Sequence, residues 1–238
     1  MALILSIETA TNSCSIALSK DGVVLAAEES FVRNTHSALI TVLIESVLAN
    51  AGKVFHEIDA VAAGEGPGSY TGLRIGVATA KGLCYALEKP LIAISTLQAM
   101  SFGMQEAMEG VQLPDPMLPV LFCPMIDARR MEVYCAIYDT SGKEIQKPSA
   151  EVITENSFSG YMDKNILVFA GDGTLKCKPL LEHFPNVVFL DDFNASARYM
   201  ATLAEERFSE SRFEDLAYFE PFYLKDFVAG KPKVKGLR

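Results

Sequence analysis

Two short stretches decide the fold class of this chain. Residues 3–8 read Leu-Ile-Leu-Ser-Ile-Glu, an apolar run that ends at an acidic residue. Residues 120–127 read Val-Leu-Phe-Cys-Pro-Met-Ile-Asp, which repeats that pattern much later in the chain. In both places a polar turn and an alternating segment follow, and the pairs Asp21-Gly22 and Ser141-Gly142 then signal hairpins. The same order of strand, acid, turn, strand and hairpin therefore occurs twice.

A second repeat lies further along each half. Residues 61–63 run into Gly64-Glu65-Gly66, and residues 166–170 run into Gly171-Asp172-Gly173. In both halves an apolar strand thus meets a turn of two glycines around an acid. The pattern predicts an α/β protein of two duplicated lobes, each a mixed sheet with flanking helices.

The boundary between the lobes is predicted in residues 110–119, which are rich in proline and polar side chains. We therefore divide the chain into residues 1–109 and 110–238, with the final helix free to pack back on the first lobe. Two such lobes resemble the actin–Hsp70–sugar kinase architecture, whose active members hold phosphates between two hairpin turns. Those members usually carry Asp at the first strand end and a glycine in the turn. Here Glu8 replaces the Asp and residues 9–12 contain no glycine, so the nucleotide chemistry looks degraded.

The composition narrows the classes of function. The chain has 238 residues, half of them hydrophobic, and a formal net charge of −9. Such a chain can bury a core, and its negative charge argues against a free-standing nucleic-acid binder. The last residues are locally basic, which indicates either a solvated tail or a transient contact with RNA or a partner. The basic residues of this tail are Lys231, Lys233, Lys235 and Arg238.

Cysteine usage and the N-terminus predict a cytoplasmic protein. The five cysteines are odd in number and lack close pairs, which is typical of reduced, buried thiols. The start meets Glu8 too early for a signal peptide, and no uncharged apolar stretch of about 18 residues could span a membrane.

The glycine-rich segment 64–76 is the sharpest local motif. It lies between a predicted strand and a predicted helix, where Gly64, Gly66, Gly68 and Ser69 could form an anion cradle at the helix N-terminus. The segment has no Walker A lysine and no dinucleotide-binding glycine spacing. The favoured alternative is a tight turn that lets the helix pack closely on the sheet.

The sequence gives little support for catalysis. His36, His56 and His183 do not have metal-ligand spacing. Glu8 and Asp127 could be paired carboxylates across the cleft, or relics of the duplicated lobe, which is the interpretation we favour. We predict no catalytic residue, no metal and no cofactor. An enzyme of the actin–Hsp70–sugar kinase type, either a phosphotransferase or a metal-dependent peptidase-like protein, is the alternative.

Five motifs make the sequence similar to the TsaB (YeaZ) family. They are Ile-Glu-Thr-Ala-Thr at 7–11, Arg-Asn-Thr-His-Ser at 33–37, the glycine-rich segment 64–76, Ile-Ser-Thr-Leu at 94–97 and Pro-Phe-Tyr-Leu-Lys at 221–225. The paralogue TsaD shares the glycine signature but carries a His-x-x-x-His metal motif that this chain lacks.

The resemblance implies a bacterial subunit of the machinery that makes N6-threonylcarbamoyladenosine in tRNA. In that family the subunit has no catalysis of its own; it dimerises with a TsaD-like paralogue and activates it, beside a TsaE-like ATPase. A homodimer is expected when the paralogue is absent, tRNA is contacted at most indirectly, and no membrane is involved.

The partner surface is predicted on two helices, residues 37–51 and 71–87, because the first is apolar over more than half of its circumference. Two rows of small residues at spacing four run along the second: Gly72, Gly76 and Ala80, and Ala78, Gly82 and Ala86. We expect the first row to admit a partner helix, as the resemblance also implies. The predicted interface residues are His36, Leu39, Ile40, Leu43, Ile44, Val47, Gly72, Arg74, Gly76, Val77, Ala80 and Lys81.

Overall fold

The computed structural model describes residues 2–32 and 35–225, and two five-stranded sheets form its frame. The strands of the first sheet are β1 (Leu3–Glu8), β2 (Cys14–Lys20), β3 (Val23–Ser30), β4 (Ala60–Gly66) and β5 (Leu91–Ser95). Their order in space is β3-β2-β1-β4-β5. Strand β2 is antiparallel to β1 and β3, whereas β4 is parallel to β1 and β5 is parallel to β4.

The second sheet has the same topology. Its strands are β6 (Val120–Asp127), β7 (Glu132–Asp139), β8 (Glu144–Val152), β9 (Ile166–Ala170) and β10 (Val187–Leu190). Their order is β8-β7-β6-β9-β10, with β7 antiparallel to β6 and β8, and with β9 and β10 parallel to β6. Each strand thus takes the place of its counterpart in the first sheet. The predicted duplication of an α/β lobe with a mixed sheet is confirmed.

Helices cover both sheets. They are α1 (His36–Asn50), α2 (Tyr70–Leu87), α3 (Thr96–Ala107), α4 (Ser159–Met162), α5 (Thr174–Leu181) and α6 (Ala201–Ser209), with 3-10 turns at Phe55–Glu57 and Ala197–Met200. The first two match the predicted helices closely. Ser69 caps α2, since its hydroxyl oxygen accepts a hydrogen bond from the Gly72 N–H at 3.3 Å.

The two faces of the first sheet have separate cores. Helices α1 and α2 lie on one face, where Ile44 and Val77 pack with strand residues such as Leu5. Helix α6 covers the other face, where Leu203 packs against residues such as Ile92. Although α6 follows the second sheet in the sequence, its core contacts are with the first. The division of the chain at residue 110 stays a prediction.

Helix α3 joins the two lobes. Ala99 packs in the core of the first sheet, whereas Leu97 and Met100 pack with Ile126 and Tyr138 of the second. One helix therefore fixes both sheets in a single packed unit. Among the helices in residues 2–32 and 35–225, none has the length and hydrophobicity needed to cross a membrane.

The described chain ends in an irregular segment, residues 213–225, here called the C-terminal strap. The Glu214 N–H donates to the Leu91 carbonyl at 2.9 Å, which attaches the strap to the edge of the first sheet. Further on, the ammonium of Lys81 donates to two strap carbonyls, at 3.2 and 3.1 Å. Lys225 then forms an ion pair with Glu132 of the second lobe. The strap therefore runs from one lobe to the other.

Candidate functional site

A cleft of about 410 Å³ lies between the lobes. Its walls are the turn after β1 (residues 10–12), the N-terminus of α2 (68–71), the turn after β6 (127–129) and the end of the strap (222–225). The two repeated turns thus face one another, as expected from the duplication. This cleft is where the sequence placed the paired carboxylates and the glycine loop.

Glu8 lies buried beneath the cleft, with 1% of its surface exposed. Its carboxylate accepts hydrogen bonds from the Ala10 N–H at 2.7 Å and the Thr96 hydroxyl at 2.9 Å. Burial raises the pKa of Glu8, and these neutral donors only partly oppose that effect. A Cβ atom on Gly64 would overlap the carboxylate, so the glycine provides its space. Glu8 is therefore a packed structural group.

Asp127 has a different environment. Its side chain is half exposed and forms an ion pair with Lys176. The Asp127 N–H donates to the carboxylate of Asp172 at 2.9 Å, and burial raises the pKa of Asp172. Among the described residues, no hydrogen bond or ion pair joins Asp127 to Glu8. The geometry therefore favours the relic interpretation over a working carboxylate pair.

The glycine loop encloses the first turn. The Ser69 N–H donates to the Ala10 carbonyl at 2.6 Å, so this helix N-terminal donor is not free for an anion. A Cβ on Gly68 would overlap Ala10, and one on Gly72 or Gly76 would overlap Thr9. These observations favour the tight-turn interpretation over the anion cradle.

The end of the strap forms one wall of the cleft. The Tyr223 ring lies 4.9 Å from the Tyr70 ring, and the Phe222 N–H donates to the Glu65 carbonyl at 2.7 Å. Arg74 lies over the Tyr70 ring, with its guanidinium 5.3 Å from the ring centre. The strap and the N-terminus of α2 are thus held together at the side of the cleft. The basic tail, residues 231–238, lies outside the described residues.

Eight of the twelve predicted interface residues are buried inside this chain, and the assignment of the twelve to a partner interface stays a prediction. The buried positions are His36, Ile40, Ile44, Val47, Gly72, Gly76, Val77 and Ala80. Leu39, Leu43 and Lys81 are half-buried, and only Arg74 is exposed. The physical reason is that α1 and α2 need their apolar stripes to cover the first sheet.

His36 shows this clearly. Its Nε2 lies 3.1 Å from the Thr11 carbonyl and 3.2 Å from the Ser13 carbonyl. Since both partners are acceptors, Nε2 carries the proton and donates. The histidine thereby fixes the turn after β1 from inside the molecule. It contributes to the shape of the cleft rather than to an outer surface.

The second small row on α2 is the one that faces away from the sheet. Ala78, Gly82 and Ala86 are exposed, and a Cβ on Gly82 would meet no atom within 4 Å. Two large exposed side chains accompany them, Tyr85 at 80% and Val42 of α1 at 56% exposure. We call these five residues the outer helix face. Spacing alone identified the row but gave no reason to choose it over the first.

Comparison with known proteins identifies the family. The family model described as "TsaD: tRNA N6-adenosine threonylcarbamoyltransferase" matches residues 25–236. The chain is 31% identical over 236 residues to the tRNA threonylcarbamoyladenosine biosynthesis protein TsaB of Escherichia coli (strain K12), covering 96% of each chain. The chain belongs to the TsaB/YeaZ family. The TsaB of Haemophilus influenzae is also 31% identical, over 96% of this chain and 95% of its own length.

Solved structures of the TsaB/YeaZ family share the fold. YeaZ from Pseudomonas aeruginosa superimposes with a TM-score of 0.76 at 25% identity, covering 94% of this chain and all of that one. Another Pseudomonas aeruginosa structure with the same scores is described as similar to peptidase YeaZ. In residues 2–32 and 35–225 of the present chain, no group of three His, Cys, Asp or Glu side chains could hold a metal ion.

Proposed function

We propose that this protein is a non-catalytic subunit in the synthesis of N6-threonylcarbamoyladenosine in tRNA, acting in the cytoplasm. Its role is to bind a TsaD-like paralogue and hold it in an active state, in a complex with a TsaE-like ATPase. When the paralogue is absent, two copies of this chain pair through the same surface. The names of the curated TsaB relatives support the pathway, and the outer helix face supports the mode of action.

The outer helix face is the observation that carries the proposal. Its small residues leave open space along α2, and Tyr85 of α2 and Val42 of α1 add exposed apolar area. Both helices are anchored to the first sheet by buried side chains, so the surface is rigid before a partner arrives. Exposed apolar area on rigid, closely spaced helices is typical of a helix-packing interface.

The cleft supports a non-catalytic role. Glu8 is buried with 1% of its surface exposed, and Asp127 is paired with Lys176. A general acid or base must reach the substrate, directly or through one water. The buried carboxylate cannot do so in this arrangement, and the transfer chemistry is therefore assigned to the TsaD-like partner.

The test is co-purification of this chain with the TsaD-like protein of the same genome, using Gly82→Leu as the variant. A leucine at this open helical position should not disturb the fold, but it should clash with a helix packed on the outer helix face. Overpacking typically costs about 1–3 kcal/mol, roughly 5–150-fold in affinity. Analytical ultracentrifugation gives the affinity of the chain for itself and for the partner.

Gly160→Leu is the matched control, because Gly160 of α4 is also exposed and also has no atom within 4 Å of its Cβ position. We expect the control to bind like the wild type. A folded Gly82→Leu protein with unchanged affinity for both partners would exclude the outer helix face from the interface. Failure of the wild type to bind the TsaD-like protein would contradict the proposed function itself.

A further inference from the structure

A second cavity, of about 430 Å³, lies where β3 of the first lobe meets the segment that follows β10 of the second. We call it the lobe-junction pocket and define it by six of its lining residues. These are Glu29, Phe31, Asp191, Asp192, Phe193 and Tyr199. It shares no residue with the cleft or with the outer helix face, so the proposed function does not use it.

Aromatic rings form a fixed wall of this pocket. The rings of Phe193 and Tyr199 stack almost in parallel, with centres 5.4 Å apart and planes at 6°. A Cβ on Gly103 of α3 would come within 2.6 Å of the Tyr199 ring, so the glycine lets that ring lie flat against the helix. Phe31 stands at the rim with 56% of its surface exposed, next to Val32 at 61%. The pocket thus combines a rigid aromatic wall with an uncovered apolar rim.

Carboxylates give the pocket a negative charge. Hydroxyl groups of Ser15 and Ser196 donate to one oxygen of Glu29, the former at 3.2 Å, which orients the carboxylate. Lys178 neutralises Asp191 through contacts of 2.7 and 2.8 Å. Within the described part of the chain, Glu29 and Asp192 have no ion-pair partner.

The charges around Tyr199 are of both signs. Burial raises the pKa of Tyr199, and the negative charges of Glu29 and Glu106 raise it further, whereas Arg198 acts in the opposite direction. Two unpaired carboxylates beside the exposed ring of Phe31 suit a planar cation. A guanidinium group can lie on an aromatic face and still donate two hydrogen bonds to a carboxylate.

We propose that the lobe-junction pocket binds an arginine side chain presented by an extended segment of a protein partner. The volume exceeds that of one guanidinium group, and the exposed rim of Phe31 and Val32 needs apolar cover that a free small cation cannot give. A peptide with apolar residues beside its arginine supplies both the guanidinium group and the apolar cover for the rim. Charge complementarity with Glu29 and Asp192 therefore specifies the arginine, and the rim specifies its neighbours.

The test uses a defined probe, the blocked pentapeptide acetyl-Gly-Leu-Arg-Leu-Gly-amide, titrated into the full chain and followed by amide NMR. We expect shift changes centred on residues 189–194. The same peptide with citrulline, which is neutral and nearly isosteric with arginine, should bind at least tenfold more weakly. Spermidine tests whether positive charge alone is sufficient, and it should not produce the same pattern of shifts.

Three variants locate the contact. Asp192→Asn and Glu29→Gln keep the shape of each side chain. Each should lower the affinity for the arginine peptide about five- to tenfold, the size expected of a charge-assisted hydrogen bond. Asparagine is well tolerated at residue 192, whose φ is +58°. Phe31→Ser should lower the affinity for the peptide by a similar factor. Glu155→Gln removes an exposed carboxylate elsewhere and should change nothing.

Several results would overturn the proposal. Absence of shifts at millimolar peptide, equal binding of the citrulline peptide, or insensitivity to both charge variants would each exclude an arginine site. Spermidine shifts equal to those of the peptide would indicate a non-specific acidic surface. None of these outcomes depends on binding to the TsaD-like protein.

Discussion

At Gly72 and Gly76 the lack of a side chain makes room for Thr9 in the interior of the molecule. Thr9 occupies the space that a Cβ atom would need at either position, and its hydroxyl donates to the Gly72 carbonyl at 2.9 Å. The lower helix propensity of these glycines is thereby offset by close packing of α2 on the turn after β1. The turn after β1 also lines the cleft. The packing of Gly72 and Gly76 on this turn therefore connects α2 to the cleft.

Gly76→Leu should therefore destabilise the fold rather than the complex. We expect the free energy of unfolding to fall by about 1–3 kcal/mol, because the leucine must displace Thr9 from a close-packed position. Gly82→Leu, on the open side of the same helix, should be neutral or stabilise by up to about 1 kcal/mol through helix propensity. Urea titrations followed by circular dichroism measure both, and equal stabilities would contradict the assignment of the two rows.

Glu8 makes the stability of the protein depend on pH. Its pKa in the folded state lies above the ordinary value of 4.5, mainly because of burial. The folded state therefore holds this proton more tightly than the unfolded state does. The resulting contribution to stability is complete below pH 4.5 and is lost as the pH rises through the folded-state pKa.

Glu8→Gln should remove that loss. A glutamine can still accept from the Ala10 N–H, and the Thr96 hydroxyl can reverse its hydrogen bond. The variant should be as stable as the wild type at low pH and more stable at pH near 8, by about 1.4 kcal/mol for each unit of the pKa rise. Urea unfolding across this pH range tests the sign, and a variant that is less stable at high pH would show that the ionised carboxylate is needed.

At the scale of elements, the C-terminal strap is held by few but directional contacts. Lys81 of α2 donates to the carbonyls of Ala217 and Phe219, and Leu216 and Phe219 pack on the first core. The residues beyond them reach the cleft and the second lobe. The position of the strap at the cleft thus depends on a lysine that the sequence had placed in the partner interface.

Lys81→Met should loosen the strap while leaving the lobes folded, because two carbonyls lose their donor. Each lost hydrogen bond is worth about 1 kcal/mol, so the loss of two should make cleavage by chymotrypsin in the aromatic residues 218–223 up to about 30-fold faster. Lys20→Met, at an exposed site away from the strap, is the control. Cleavage at the wild-type rate would show that the core contacts alone hold the strap.

At the scale of the whole molecule, the two lobes repeat one topology but serve different ends. The first sheet carries α1 and α2 and so presents the outer helix face. The second sheet supplies Asp127 and Glu132, which pair with Lys176 and the strap residue Lys225. Between them lies the cleft, lined by the corresponding turns of the two lobes and by the end of the strap.

The isolated protein should accordingly bind ATP weakly or not at all. The turn 9–12 has no glycine to admit phosphates, and the Ser69 N–H is already used by the Ala10 carbonyl. Calorimetry with Mg-ATP should show no saturable heat, and Tyr223→Ala, which shortens a side chain lining the cleft, should not change that. A one-to-one isotherm at micromolar affinity in either protein would favour the alternative of a phosphotransferase.

The sequence by itself determined the two lobes, the hairpins that open them and the helices α1 and α2. These features depend on local signals, because strand alternation, Asp-Gly turns and apolar periodicity act over a few neighbouring residues. The repeated pattern of a strand followed by an acidic residue also predicted the duplication. The family could also be predicted, because its motifs are contiguous in the chain.

Only the tertiary structure decided which side of each helix is outside. Helical periodicity separates the row of Gly72, Gly76 and Ala80 from that of Ala78, Gly82 and Ala86, but small residues give neither row a hydrophobic preference. The choice was made by Thr9, a residue distant in sequence that fits only against the first row. The lobe-junction pocket likewise joins β3 to residues after β10, and no local pattern could predict that contact because packing between lobes creates it.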